Sequence, residues 1–337
     1  MAAWSRLSAR VRGGSDDGRR RRWRWTGVAL VVVVGLSVGG YALFHRARPY
    51  LHGSNCELRT TQGKMPLSLE QAANASTIAA VAFRKQLPER AVVIAYATAI
   101  QESDIRNLAG GDRDSVGMFQ QRPSQGWGSP DKLRDPVQST SKFFDALVKV
   151  KGYLDRDLHD AAQRVQRSAD GSAYAQHEPD GKLLARAFTG REPAAVRCWY
   201  PPNKQTSPRR AEALREMRRS FGGRLKVDGP QTTARSSETP VTGTSPRAAS
   251  PAPSTPSAPS APAAAQPSPP RPSARAYEAI KVTNPRTGWA VASWAVTHAQ
   301  VYGLSEVRHA KRRWTADAGH DGWTTDAHAP ADRVIIK

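Results

Sequence analysis

The stretch that decides the fold class is AVVIAYATAIQES, residues 91–103, with the glycine- and aspartate-rich run NLAGGDRDS, residues 107–115, soon after it. The first run follows Pro88, is apolar and rich in alanine, and predicts a buried helix. The second run predicts a loop. Helical patterns continue on both sides, and no convincing alternating strand stands out over residues 66–221. The sequence therefore predicts a mainly α protein with an all-α domain at residues 55–225, long enough for a proper core.

The N-terminus carries a candidate membrane anchor. Residues 26–44 read TGVALVVVVGLSVGGYALF, nineteen residues without a charge. As a helix they cover roughly 28 Å, enough for a bilayer core. The preceding tail, residues 1–25, holds eight arginines against two aspartates, which predicts a cytoplasmic N-terminus. A cleaved signal peptide is the alternative, but its apolar region is shorter, about 7–15 residues. We therefore expect a single-pass cell-membrane protein whose bulk lies outside the cytoplasm.

The last third of the chain divides in two. Twelve of the 25 prolines lie between Pro230 and Pro272, so residues 229–274 predict a disordered linker. Residues 276–337 regain apolar patterns and predict a small α/β module, with a helix in GWAVASWAVTHAQVY and strands in SEVRHAKRRW and ADRVIIK. Four of the nine tryptophans fall in this module. They either stack on sugar rings or form the core of a small domain.

The charge balance favours anionic partners. The formal net charge is +21, which suits nucleic acid, anionic lipid or an acidic wall polymer. Because the predicted anchor places the basic part outside the cell, we expect no nucleic-acid partner. Peptidoglycan or another anionic cell-wall polymer, together with the membrane, is the expected partner.

The two cysteines, Cys56 and Cys198, bracket the predicted α domain and have no C-x-x-C spacing or flanking histidine cluster. We therefore expect no metal site. In an oxidising compartment two lone cysteines more often form a disulfide, and two unrelated buried thiols are the alternative.

Glu102 is the residue with the clearest chemical potential. It ends an apolar helix at the edge of a glycine-rich loop, with Met118 and Phe119 close by in sequence. An apolar environment favours the protonated form of a carboxyl group, which a general acid needs to cleave a glycosidic bond. The alternative is an ordinary solvated glutamate in the last turn of a helix.

From AIQES to MFQQRP the chain resembles the soluble lytic transglycosylase and goose-type lysozyme group. In that group a glutamate–serine pair is followed by a G-L-M-Q-like turn and then a proline. Here the pair is Glu102-Ser103, the turn is GMFQ at residues 117–120, and Pro123 follows. The glutamate-to-glutamine separation of 18 residues is the same as in the group's pattern.

A second resemblance covers residues 87 to about 196. This run looks like a group of actinobacterial exported proteins that carry QES, GDRDS, FQQRPSQGWG, VQRS and AYAQHE segments, all of which stand here almost unbroken. Some of those proteins bear a heavy-metal-transporter label. One membrane span cannot form a translocation path, and this sequence has no cysteine or histidine cluster for a metal.

The first resemblance implies a lysozyme-like fold and peptidoglycan cleavage without a cofactor. Glu102 would protonate the scissile oxygen and then accept a proton from the sugar's own 6-hydroxyl, leaving a 1,6-anhydro ring. The residues expected to line the saccharide cleft are Ser103, Ser115, Gly117, Gln120 and Tyr174. Asp112 and Asp114 are candidates for a second carboxylate in a hydrolytic variant; otherwise they are solvated turn residues.

One segment departs from the resemblance. Transglycosylases usually carry an A-Y-N-A-G-like segment whose tyrosine supports the catalytic acid, and the nearest match here is AFTG at residues 187–190. Tyr174 or Tyr96 would have to substitute for the missing hydroxyl. The expected function is therefore a membrane-anchored peptidoglycan-cleaving enzyme, with a non-catalytic wall-binding or scaffold protein as the alternative.

Overall fold

The first regular element among the described residues is a β-hairpin rather than a helix. The structure is a computed structural model that describes residues 54–168, 171–223, 225–228 and 277–337. Strand β1 (Asn55–Thr60) pairs antiparallel with β2 (Gly63–Leu67) on one side and with β3 (Val196–Trp199) on the other. This register sets Cys56 opposite Cys198, and the two are joined by the disulfide that the sequence favoured.

Two central helices follow the hairpin. Helix α1 (Leu69–Lys85) begins at a capping box in which Ser68 and Gln71 satisfy each other's backbone N–H groups, as the sequence predicted. Helix α2 (Glu89–Ser103) is buried along nearly its whole length. It has no polar face because other helices cover it from several sides, so its apolar residues do not form a single stripe.

Shorter helices surround this pair. Helix α4 (Pro136–Leu147) begins at an Asp135 cap and packs on α1, whereas α7 (Glu178–Phe188) packs on α2. The remaining helices of this part of the chain are α3 (Pro130–Leu133), α4 (Pro136–Leu147), α5 (Leu158–Gln166), α6 (Ser172–Ala175), α7 (Glu178–Phe188) and α8 (Arg210–Phe221).

The C-terminal residues form an antiparallel sheet with two helices. Its strand order is β4-β5-β9-β6-β7-β8. The strands are β4 (Lys226–Asp228), β5 (Glu278–Lys281), β6 (Glu306–His309), β7 (Arg312–Thr315), β8 (Thr324–Thr325) and β9 (Arg333–Ile336). The helices are α9 (Pro285–Thr297) and α10 (Ala299–Tyr302), and Gly303 ends α10 in the left-handed region.

This C-terminal part shares its core with the helices before it. Residues Asn55–Lys337 cluster as one compact unit, separate from Met1–Ser54. Helix α9 packs along α1, and the hydroxyls of Ser76 and Thr297 meet at 2.9 Å across the contact. Of the tryptophans in this part, Trp294 and Trp314 are fully buried and belong to the common core rather than to an exposed sugar-stacking surface.

The expected fold class, mainly α with an all-α lysozyme-like domain, is wrong. Within the described residues the unit contains two antiparallel sheets beside its helices, and one of them lies inside the predicted all-α region. The cause is the length of the strands. A four-residue strand such as VRCW at 196–199 is too short to show an alternating pattern, and its partner lies 142 residues earlier at Cys56.

Several expected segments lie outside the described residues. These are the basic tail at 1–25, the membrane span at 26–44 and the whole linker at 229–274. Among the helices that the structure does describe, none combines the length and the apolar character needed to cross a bilayer.

Candidate functional site

Glu102 lies in the last turn of α2, half-buried, at a point where the chain reverses sharply. Just after the end of α2, Asp104 and Ile105 both have left-handed backbone conformations, with φ of 55° and 59°. Such conformations are costly for residues with a Cβ and persist only where the surroundings hold them. Here α1 does so, because Gln71 donates to the Asp104 carbonyl at 2.9 Å and Asn74 to the Ile105 carbonyl at 2.8 Å. The position of Glu102 is therefore fixed by a neighbouring helix.

The glycine-containing turn at 117–120 lies directly against this helix end. The Ser103 hydroxyl donates to the Met118 carbonyl at 2.8 Å and to the Ala99 carbonyl at 3.2 Å. Gly117 has a φ of +78°, and a Cβ there would lie 2.3 Å from the Leu133 carbonyl oxygen, so glycine is required. The structure thus brings together the glutamate–serine pair and the turn, which are separate in sequence. Ser103 is buried and holds this junction from inside.

Gln120 lies on the outer side of the turn. Its amide donates to the Gly117 carbonyl at 2.9 Å. Its Oε1 packs so closely on Gly111 that a Cβ at that glycine would lie 1.6 Å from it. The loop that contains Gly111 therefore contacts the turn through Gln120, while Ser115 is buried within the loop. On the opposite side Gln166 of α5 donates to the Phe119 carbonyl at 2.7 Å.

Tyr174 supplies the most informative contact of the site. This residue of the short helix α6 is 3 % exposed, and its hydroxyl donates a hydrogen bond of 2.6 Å to Oε1 of Glu102. Burial raises the pKa of Tyr174 well above its ordinary value, and the hydrogen bond and negative charge of Glu102 raise it further, while a hydrogen bond with Ser168 acts in the opposite direction. The tyrosine therefore keeps its proton throughout the physiological pH range and remains a donor to the carboxylate.

The other candidate tyrosine is directed elsewhere. Tyr96 is fully buried, and its hydroxyl donates to the Ala75 carbonyl at 2.8 Å. Phe188, in the AFTG segment, is also buried, with its ring centroid 6.4 Å from that of Tyr96. Of the two tyrosines that the sequence left open as substitutes, the structure brings Tyr174 to Glu102.

The AYAQHE segment that contains Tyr174 lies alongside the QES segment. Next to the Tyr174 contact, the Oε1 atom of Gln101 accepts from Gln176 at 3.4 Å and lies 2.9 Å from Nε2 of His177. Glu178, the last residue of the segment and the first of α7, forms an ion pair with Arg90 of α2 at 2.7 Å. Sequence analysis did not single out Gln101 or His177 as site residues. The signal that could have found them is that the QES and AYAQHE segments, which contain these two residues, both stand intact in this chain.

The two candidate second carboxylates have different surroundings. The carboxylate of Asp114 accepts from Nε of Arg122 at 2.8 Å and from the backbone N–H of Ser124 at 2.7 Å. These two contacts, the Arg122 bond first, hold the pKa of Asp114 well below its usual range. The side chain of Asp112, in contrast, is 90 % exposed. Asp114 therefore acts as an anchor of the loop, and Asp112 projects into solvent.

No metal cluster accompanies these residues in the part of the chain that the structure describes, where no group of three or more histidine, cysteine, aspartate or glutamate side chains is placed to hold an ion. What the arrangement can do chemically is donate and accept one proton. One oxygen of this half-buried carboxyl group accepts a hydrogen bond from a tyrosine that stays protonated, and the other oxygen has no partner among the described residues, so it is open to a substrate.

In comparisons with known proteins, no family model matches the chain, and no curated protein matches it either.

Proposed function

We propose that this protein is a cell-surface enzyme that cleaves peptidoglycan strands, in the manner of a lytic transglycosylase or muramidase, with Glu102 as its single general acid and base. The observation that carries the proposal is the 2.6 Å hydrogen bond from Tyr174 to Glu102. It is supported by the resemblance of the Glu102-Ser103 pair and the turn at 117–120 to the transglycosylase group. Phe188, which stands where the transglycosylase group usually has a tyrosine, no longer argues against catalysis, because Tyr174 is available to support the acid.

The proposed reaction uses one carboxyl group twice. In the first step Glu102 gives its proton to the glycosidic oxygen as the bond breaks. In the second step the resulting carboxylate takes a proton from the sugar's 6-hydroxyl, whose oxygen attacks the anomeric carbon and closes a 1,6-anhydro ring. The proton balance returns Glu102 to its starting state. A second carboxylate is not needed, which suits an Asp114 held by Arg122 and Ser124.

Tyr174 positions the acid in this scheme. Because its hydroxyl donates to Oε1, the acidic proton of the neutral carboxyl group is directed to the other oxygen, where the glycosidic oxygen would bind. After proton transfer the same bond stabilises the carboxylate. A hydrogen bond to a charged group contributes about 1.5–3 kcal/mol, and that contribution is largest in the charged state that follows bond cleavage.

The substrate and location follow from charge and from the N-terminal sequence. An excess of 21 positive charges favours an anionic polymer such as the bacterial wall. We place the protein at the cell membrane, with residues 26–44 as its anchor, residues 1–25 in the cytoplasm and the catalytic unit outside.

The test is digestion of purified peptidoglycan by residues 54–337, which contain the whole compact unit with its own core and disulfide. Mass analysis of the released fragments should find muropeptides that end in 1,6-anhydro sugars. Fragments with ordinary reducing ends would make the enzyme a hydrolase and assign the second step to water. Binding without released fragments would replace the enzyme with a wall-binding scaffold protein.

A further inference from the structure

A second candidate site lies at the opposite end of α2 from Glu102. It is a cavity of about 560 Å³ between the end of α1, the start of α2, the end of α8 and the β4–β5 pair. Cavities that bind small molecules occupy about 300–1,000 Å³. Glu89, which lines this cavity, and Glu102 are thirteen residues apart on α2, about 20 Å at the helical rise. The cavity is therefore separate from the proposed catalytic site.

The walls of the cavity are mainly apolar, although Gln86, one asparagine and several threonine residues also line it. Ala82 and Val92 line it from the two central helices, and both are almost fully buried. Phe83 and Phe221 contribute aromatic walls, with their ring centroids 6.1 Å apart. Leu225 closes the side next to the second sheet. Removing such an apolar surface from water is favourable, so it suits an aliphatic chain.

The rim of the cavity is positively charged. Among the described residues that line the cavity, the charged ones are Lys226, Lys281 and Arg286 and a single acid, Glu89. That acid pairs with Arg191 at 2.7 Å and with Arg286 at 3.4 Å. The rim therefore carries a net positive charge.

The two lysines stand directly opposite each other in the β4–β5 pairing. Like charges in opposite cross-strand positions are destabilising. Lys281 also lies close enough to Asp332 to contribute to the lowered pKa of that carboxyl, after the larger effect of Arg333. An anionic head group between the two lysines would contact both side chains and would lessen the repulsion between them.

We propose that this cavity binds a single-chain aliphatic anion of the fatty-acid type, with the chain among the apolar walls and the head group between Lys226 and Lys281. The apolar interior would bind the aliphatic chain, and the cationic rim would bind the anionic head group of the same molecule. The site is independent of the proposed catalysis, and its failure would leave the role of Glu102 untouched.

The experiment is a fluorescence titration of residues 54–337 with cis-parinaric acid below its micelle concentration. We expect saturable binding with one site per chain. The decisive variant is the double substitution Lys226→Glu and Lys281→Glu. It keeps a like-charged pair across the strands, so the folding cost of that pair is retained, but it reverses the sign of the rim. Affinity for the fatty acid should fall at least about tenfold, and a long-chain alkylamine should now bind in its place.

Two matched controls separate this site from adsorption to a basic surface. Lys64→Glu changes an exposed strand lysine of the other sheet and should leave the affinity unchanged. Ala82→Phe fills the cavity and should abolish binding, provided that a thermal melt shows a folded protein. Binding that persists in folded Ala82→Phe, or that falls equally in Lys64→Glu, would overturn the proposal.

One further variant tests whether the chain occupies its own cavity. Because β4 and β5 are antiparallel neighbours, residues 229–276 can be replaced by a short glycine–serine turn. Unchanged affinity supports an exchangeable ligand. Binding that appears only in the shortened chain would assign the cavity to residues 229–276 and overturn the proposal.

Discussion

The C-terminal end of α2 differs in its construction from the seam around β3, where the Cys56–Cys198 disulfide meets Trp314 and Trp323. At the helix end the side chains of Glu102 and Gln120 are only half-buried, and within the described residues each forms one hydrogen bond. At the seam Cys56 and Cys198 are completely buried. There the C-terminal segment closes over the disulfide: Trp314 donates to the Cys198 carbonyl at 3.3 Å, and Trp323 donates to the Val196 carbonyl at 2.8 Å.

From this difference we infer that the helix end serves catalysis and that the seam stabilises the fold. A half-buried carboxyl group is accessible to a substrate but contributes little to packing. A buried disulfide beneath two tryptophans contributes to the free energy of unfolding but is closed to ligands. Substitutions at the helix end should therefore change turnover with little change in stability, and those at the seam should do the reverse.

The largest effect should come from Glu102→Gln. The amide keeps the shape of the side chain but has no acidic proton to give, so cleavage of peptidoglycan should fall by roughly 10²–10⁴-fold. The melting temperature and binding to insoluble peptidoglycan should stay close to those of the unchanged protein. Cleavage that survives this substitution would remove Glu102 from the mechanism and turn attention to Asp112.

The second effect concerns the seam. Replacing Cys56 and Cys198 together with serine opens a loop that spans 142 residues. We expect the free energy of unfolding to fall by about 2–5 kcal/mol in denaturant titrations, chiefly because the unfolded chain gains entropy. Reductant should have the same effect on the unchanged protein. Two titratable thiols in the unfolded, unreduced protein would show that the bridge does not form.

Two tyrosines, one at the helix end and one in the buried core, provide a matched pair. Tyr174→Phe removes the hydrogen bond to Glu102, and turnover should fall roughly 10- to 100-fold, as expected for a bond of about 1.5–3 kcal/mol to a charged group. Tyr96→Phe removes a buried bond to the Ala75 carbonyl and should cost about 1 kcal/mol of stability with no effect on turnover. The assignment of the two tyrosines fails if their effects are equal or exchanged.

The smallest effect should come from Asp114→Asn. Arg122 and then the Ser124 N–H lower the pKa of Asp114 in the folded protein, so its carboxylate stabilises the fold above the ordinary aspartate pKa of about 3.9. That contribution is lost as the pH falls below this value toward the lower pKa of the folded state.

The measurement is the melting temperature of both proteins at a series of pH values. The unchanged protein should melt higher than Asp114→Asn at neutral pH, and the difference should shrink as the pH falls from about 5 to about 2. A difference that is independent of pH would mean that Asp114 does not hold the loop through its charge.

The local features of the chain were predictable from the sequence. The capping box at Ser68 and the helix Glu89–Ser103 occur where the residue pattern indicated, because caps and apolar helices depend on near neighbours. The all-α interpretation was wrong, since β1 and β3 become strands only by pairing with each other from distant parts of the chain. The single fold unit of residues 55–337 has the same origin, because the contact between α1 and α9 joins residues more than 200 positions apart.

The candidate site shows the same division. By itself the sequence determined that a glutamate–serine pair ends an apolar helix, that a glycine turn follows it, and that the cysteines are suited to a disulfide. It left both Tyr174 and Tyr96 open as the tyrosine that supports Glu102, because a residue pattern does not say where a hydroxyl points. Only the tertiary structure decided between them. The packing of α6 against the end of α2 brings Tyr174 to Glu102, whereas the packing of α2 against α1 directs Tyr96 to the Ala75 carbonyl. Hydrogen bonds between distant segments depend on three-dimensional packing, which no local spacing encodes.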